Sequence, residues 1–228
     1  MREIFFKIGV LIFLMPLFMS FSSCNSQTDN RYDIYNKGKK WEYNCKFYSS
    51  NQQVTDSFIM TMEVKSNFAA FISQQIPIVY EYPDENGEMI KDGTGVVVDE
   101  SYISIHQPRI GKLTFASILP MPSIHLPLES ENVVESYTET KITKSPFKEL
   151  EGKTVKYKIT SIGTDSLSFK DDMIKCYIYE AKQLNMIEEV GEYSMHYWFN
   201  EDYGFVRYLF FKPDESWVDI KLRDIINN

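Results

Sequence analysis

"WEYNCKF" (Trp41–Phe47) and its companion "FIMTMEV" (Phe58–Val64), joined by the polar connection "SSNQQ" (Ser49–Gln53), decide the fold. In the first, Trp41, Tyr43, Cys45 and Phe47 fall on one side, with Glu42, Asn44 and Lys46 on the other. In the second, Phe58, Met60, Met62 and Val64 oppose Ile59, Thr61 and Glu63. A period of two marks a strand with one buried face, so the pair predicts a β-hairpin.

The same alternation recurs outward from this hairpin. Val155, Tyr157 and Ile159 alternate in "TVKYKI", and Tyr193, Met195, Tyr197 and Phe199 align in "YSMHYWFN". "IKCYIYEA" reads as a strand with aromatics on its other face, and "FVRYLFF" and "WVDIKL" complete the set. "PDENGE" (Pro83–Glu88) and "NEDYG" (Asn200–Gly204) carry turn chemistry. Helical periodicity is scarce, with "SPFKELEG" (Ser145–Gly152) the best candidate. "GKKWEY" (Gly38–Tyr43) echoes "GKTVKY" (Gly152–Tyr157), which suggests two halves of one sheet joined through residues 100–150. The expected fold is mainly β: a curved antiparallel sheet, a half β-barrel of about eight to eleven strands. A short helix and a proline-bearing apolar link would cover its concave face.

The N-terminus sets the expected compartment. Arg2 and Lys7 precede the uncharged run "IGVLIFLMPLFMSF" (Ile8–Phe21), which is too short for a comfortable span and is interrupted by Pro16. With Ser22 and Ser23 behind it, this reads as an export signal over 1–23. Those serines and Cys24 resemble the lipobox of bacterial lipoproteins, with Phe21 standing where that motif usually has Leu. Cys24 is then the lipid-attachment residue, and its acyl chains tether the protein to a membrane of the cell envelope. Ordinary secretion with an incidental cysteine is the competing reading. Residues 24–37 are expected as a polar leash and 38–228 as a single β-rich domain, with the periplasmic and surface sides both open.

Composition excludes several classes. A net charge of −8 argues against nucleic acid as a partner. Aromatics at 15% with only ten glycines argue against disorder. His106, His125 and His196 stand at no close metal-ligand spacing, and HExxH, CxxC, P-loop, GxGxxG and GxSxG patterns are missing. No metal, cofactor or catalytic residue is therefore expected. The adjacent acids Asp99–Glu100, Asp171–Asp172 and Glu188–Glu189 would point to opposite faces in strands, and read as solvated turns. Cys45 and Cys176 either form one disulfide or stay as buried thiols.

"GKTVKYKI", "DSLSFKDDMIKCYIYEAK" and "HYWFNEDYGFVRY", preceded by "LPMPSIHLPL", resemble in their succession the uncharacterised envelope lipoproteins of Bacteroidetes-like bacteria. Those proteins share a half-barrel sheet with the lipoprotein-carrier fold. The likeness spans residues 110–212, and departs where the family often carries a Pro-Ala-Gly-like turn and this chain has Phe169–Asp172. It implies fold and envelope location more than activity.

Three groups of residues are candidate sites. "LTFASILPMPSIHLPL" (Leu113–Leu128) is apolar yet carries Pro120, Pro122 and Pro127, which forbid a regular helix or central strand. It either plugs the sheet or lines a groove with Phe115, Ile118, Leu119 and Met121. Trp41, Tyr43, Phe58, Met60 and Met62 would line the same apolar-ligand pocket or simply form core. Tyr177, Tyr179 and Trp198 are either an exposed platform for a sugar or partner protein, or core on a second face. The expected function is a non-catalytic envelope lipoprotein that binds or carries an apolar ligand such as lipid. The alternative is an adaptor that binds another envelope protein through exposed aromatics or a sheet edge.

Overall fold

Alternation becomes twelve antiparallel strands in one open sheet in the computed structural model, which describes residues 34–65, 75–128, 135–142, 151–185, 188 and 191–227. The expected signal segment, Cys24 and nearly all of "SPFKELEG" lie outside those residues. In chain order the strands are β1 (Lys39–Tyr48), β2 (Val54–Val64), β3 (Ile76–Pro83), β4 (Met89–Val98), β5 (Tyr102–Ile105) and β6 (Ser123–His125). Then come β7 (Glu135–Lys141), β8 (Thr154–Phe169), β9 (Asp172–Gln183), β10 (Ser194–Asn200), β11 (Gly204–Phe211) and β12 (Trp217–Asn227). A short 3₁₀ helix, Gly111–Ser117, sits within the proline-bearing link.

The spatial order is β6-β5-β4-β3-β2-β1-β12-β11-β10-β9-β8-β7. Each run of six strands is a meander, and the two are joined where the first strand of the chain pairs with the last. The predicted hairpin forms as expected, with Tyr43 opposite Met60 and Trp41 opposite Met62. Its turn is closed by Ser49 N–H to the Gln53 carbonyl at 3.0 Å. At "PDENGE" the Asp84 carboxylate accepts from the backbone N–H of Asn86 and Glu88 (2.8 and 2.9 Å), so an aspartate holds the turn.

The echoing glycines, Gly38 and Gly152, share a φ of +84° ahead of β1 and β8. Yet β1 opens its meander while β8 is second in its own, so the echo marks a shared strand entry, not equivalent positions. Gly204 is constrained by space as well as by its φ of +78°: a Cβ there would meet the Tyr35 hydroxyl at 2.6 Å. Tyr35 and Ile34 are buried, and the Tyr35 ring lies 5.5 Å from Trp41. The described end of the expected 24–37 leash is therefore packed into the domain.

The core lies on the concave face. Trp41, Tyr43, Met60, Met62, Tyr80, Tyr157, Tyr197 and Tyr208 are all at most 2% exposed. Full burial of a large apolar side chain contributes about 1.5–3 kcal/mol, so this wall of rings is the main stabiliser.

The link closes over that wall. Lys112 reaches Asp56 of β2 at 2.7 Å, and the Tyr82 hydroxyl of β3 donates to the Ile110 carbonyl at 2.9 Å. On the far side Phe115 meets Phe210 edge-on at 5.7 Å, and Tyr157 donates to the Ile118 carbonyl at 3.0 Å. Tyr197 donates to the Ser123 carbonyl at 2.6 Å. Gln107, 1% exposed, sets its amide nitrogen 3.0–3.3 Å from the carbonyls of Ala116, Leu119 and Pro120. Outside the three residues of β6, which pair with β5, the link thus has its carbonyls met by buried side chains, as burial of backbone requires.

The alternative left open for Tyr177, Tyr179 and Trp198 resolves toward core. Tyr179 stacks on Tyr197 at 5.3 Å and shares its inner face with Tyr177; both are buried. Trp198 is on the outer face but is also only 6% exposed, under Arg207 at 4.9 Å. The three are no exposed platform. The inner face is the aromatic one because a wide concave surface has room for rings. Near the tip of the β8–β9 hairpin the other face is buried as well, at Leu167, Phe169 and Cys176, where the tip reaches β12 through Lys170–Asp224 at 2.7 Å.

Cys45 and Cys176 are free, buried thiols. Three strands, β12, β11 and β10, separate them. Four strand spacings of about 4.8 Å place them roughly 19 Å apart along the sheet, whereas a disulfide needs about 4.4–6.8 Å between Cα atoms. Burial pushes the Cys45 thiol well above its ordinary pKa and Cys176 up to about 11, so neither is a ready nucleophile.

Candidate functional site: the seam between β6 and β7

A twelve-strand ribbon that curves this far brings its two edges together, and they do not pair. Between them lies a groove of about 450 Å³, lined by Tyr102, Ser104, His106 and Arg109 from β5 and the stretch after it. Met121, Ser123 and His125 come from around β6, and Thr138, Glu139, Thr140 and Lys141 from β7. Alternation explains the first set. Ile103 and Ile105 point into the core (1% and 0% exposed), which turns Tyr102 and Ser104 to the other side. Similarly, Ile124 is fully buried, so Ser123 and His125 face away from it.

On β7, Thr138 and Thr140 stand opposite Tyr157 and Val155, while Glu139 stands opposite Lys156. The backbone of Ser123, on the outer edge of β6, is met by the Tyr197 hydroxyl in place of a neighbouring strand. That side-chain cap is why the ribbon stops at β6.

Electrostatics single out Arg109. Its backbone N–H donates to Asp92 Oδ2 at 2.7 Å, and its terminal nitrogen comes only within 3.5 Å of Gln107 Oε1. Its Nε is buried without a partner. Burial draws the Arg109 pKa down, with Asp92 acting against it, but a guanidinium remains charged. The His106 imidazole is held below its ordinary value by burial and by Arg109 beside it. Glu139 bridges to Lys156 at 3.3 Å.

A second hollow of about 420 Å³ opens elsewhere, lined by Ile34, Ile103, Leu126, Pro127, Leu128 and Phe199, with Glu201 and Asp202 at its edge. The residues expected to line an apolar pocket are dispersed among other roles. Trp41, Tyr43, Met60, Met62, Ile118 and Leu119 are core. Phe58 is half-buried between Phe47 and Tyr82, and Phe115 is half-buried against Phe210. Met121, 37% exposed, is the member of that set which reaches the seam groove.

Sequence reasoning missed Ser104, Arg109, Ser123, Thr138 and Lys141, and weighed His106 and His125 only as metal ligands. Nothing in the local pattern of two stretches lying so far apart in the chain joins them; the signal is the topology. Among the described residues no group of three His, Cys, Asp or Glu could hold a metal ion, and no helix is long and apolar enough to cross a membrane.

No family model and no curated protein matches the chain. Among solved structures it is similar to a candidate lipoprotein from Parabacteroides distasonis, at TM-score 0.51 and 11% identity, covering 84% of this chain and 96% of that one. A candidate exported protein with a YmcC-like fold from Bacteroides fragilis gives TM-score 0.49 at 11% identity, over 84% and 96% of the two chains. The hypothetical lipoprotein YmcC of Escherichia coli gives 0.37 at 6% identity, over 85% and 88%. At such identities the first of these similarities concerns the fold alone.

Proposed function

We propose that this chain is a non-catalytic envelope lipoprotein that acts as a binding module, tethered through Cys24 and receiving a small molecule at the β6–β7 seam. The observation that carries the reading is the contrast between the two sides of the link. Beneath it the concave face is filled by the chain's own side chains, so the inner wall is core and not a carrier pocket. Beside it stands an open groove within the size range of small-molecule sites, about 300–1,000 Å³, rich in hydrogen-bond donors. Support for the envelope comes from the N-terminal sequence and from the fold shared with the Parabacteroides candidate lipoprotein.

A photo-crosslinking residue at Thr138, compared with one at Lys46 on the outer face, tests the seat. Expected is a small-molecule adduct from Thr138 alone in protein extracted from its own membrane. Capture of a protein at Thr138 would favour the adaptor, with β7 as the docking edge. Adducts at neither position, or at both equally, would end the reading. For the tether, Cys24→Ala should move the protein from the membrane to the soluble fraction, and unchanged retention would contradict lipidation.

The apolar-ligand alternative keeps one specific observation in its favour. Six apolar residues line the second hollow, among them Ile34, which follows Cys24 by ten positions in the chain. A lipid adduct from a crosslinker at Leu128, with none at Thr138, would transfer the function there.

A further inference from the structure

Several cations of this protein are held in ion pairs. Lys112 meets Asp56, Lys158 meets Glu135, Lys170 meets Asp224, and Arg207 meets Asp219 through both carboxylate oxygens at 2.9 Å. The seam groove brings two unpaired cations together. Arg109 and Lys141 both line it, and neither has a carboxylate within ion-pair distance among the described residues. The one carboxylate among the lining residues, Glu139, is already engaged by Lys156. Asp92 lies near Arg109, yet it takes the backbone N–H and leaves the guanidinium unpaired. In a chain of net charge −8, a groove lined by two cations and a single carboxylate that is already engaged is a local excess of positive charge.

The Arg109 Nε adds an independent observation. A buried donor without an acceptor costs about 1–3 kcal/mol, and native proteins keep few of them. That atom is closed off from solvent, so contact with a ligand falls to the terminal nitrogens of an incompletely satisfied guanidinium. Around it stand the hydroxyls of Ser104, Ser123, Thr138 and Thr140, the ring of Tyr102, and two histidines. Such a set suits a body bearing several hydroxyl groups and one compact negative group, since a guanidinium pairs with carboxylate or phosphate through a planar fork.

We infer that the seam groove is an oxyanion site, in which Arg109 and Lys141 receive the carboxylate or phosphate of a small hydroxylated molecule. This rests on the seam being the binding seat. The acid group is held by the cations, the hydroxylated body by the serines and threonines, and Tyr102 supplies a face for it to lie against.

Calorimetric titration of the full chain with D-glucuronate, inorganic phosphate and neutral D-glucose tests this. Saturable binding of glucuronate or phosphate, but not glucose, is expected below about 10 mM. Glucuronate alone would identify a carboxylate ligand, and phosphate alone a phosphate-bearing one. Arg109→Gln should weaken the bound anion by about tenfold, the effect of one charge-assisted pair. Because Arg109 is half-buried and its loss could perturb folding, Lys141→Glu on the exposed rim is the second variant, and it should weaken binding at least as much. Lys46→Gln on the outer face should leave affinity unchanged. Binding of neither anion, glucose binding as well as glucuronate, or wild-type affinity in both seam variants would overturn the inference. Should the Thr138 crosslinker still capture a small molecule in that event, only the oxyanion assignment fails; should it capture nothing, the seam reading fails with it.

Discussion

Where β1 meets β12, the two halves of the ribbon are joined by strand pairing that runs from Lys39 opposite Asn227 to Tyr48 opposite Trp217. Where β6 faces β7, the halves are joined by no strand pairing, and tyrosines of β8 and β10 hold the link instead. Backbone pairing satisfies every group along an edge and leaves no room for anything else. Side-chain bridging satisfies selected groups and leaves a groove. The same chain thus seals one junction by backbone pairing and leaves a groove at the other, so substitutions at the two should fail in different ways.

The largest effect belongs to the sealed junction. Trp41 is fully buried on β1 and its indole N–H donates to the Tyr203 carbonyl at 3.0 Å, tying the first strand to the β10–β11 turn. Trp41→Ala is expected to cost about 3–5 kcal/mol in urea unfolding. A loss below about 1 kcal/mol would mean that the junction is not the keystone of the sheet.

Trp41 was also the most legible residue in the sequence, and the reason is instructive. A strand's inner face is written in every second residue, so the β1–β2 hairpin and the turns at Pro83–Glu88 and Asn200–Gly204 are readable locally, whereas the prolines of the link leave both plug and groove lining open. Alternation alone does not assign the inner face of β9, because Ile174, Cys176 and Ile178 form an apolar row that competes with Tyr177 and Tyr179. Burial of Cys176 with Leu167 and Phe169 on the other side comes from packing near the hairpin tip, and that is a tertiary event. The twelfth strand escaped notice because β6 is three residues long and β7, "ESYTETK", alternates between two polar sides. The seam escaped for the same reason: its residues become neighbours only when a long ribbon has curved round.

An intermediate effect should distinguish bonded tyrosines from unbonded ones. Removing the hydroxyl in Tyr157→Phe or Tyr197→Phe leaves a buried carbonyl of the link without its donor, at an expected cost of about 1–2 kcal/mol each. Tyr208 is equally buried, but its hydroxyl has no partner. Tyr208→Phe should therefore lie within about 0.5 kcal/mol of the parent or stabilise it, since an unsatisfied group is removed. Equal losses in all three would show that the tyrosines act through ring packing alone, and the tethering of the link would lose its basis.

The smallest expected effect separates two contributions at the near end of the link. Lys112 lies 2.7 Å from Asp56 and also sits over the Phe58 ring at 5.4 Å. The hydrogen bond from its ammonium holds the Asp56 carboxyl below its ordinary value. A depressed folded pKa means that this contribution is present above the unfolded value of about 3.9 and is lost as pH falls through the folded one. Asp56 is well exposed, so screening limits the pair to about 0.2–1 kcal/mol. Lys112→Met keeps the apolar stem while deleting the charge. Its deficit in urea unfolding should accordingly be greatest near pH 7, shrink between about pH 5 and pH 3, and diminish in high salt. What persists at low pH is the cation–π contact with Phe58, which does not depend on Asp56. A deficit independent of pH would assign the whole of the effect to the ring, and the link would then be fastened at this end by packing, as it is at Phe115.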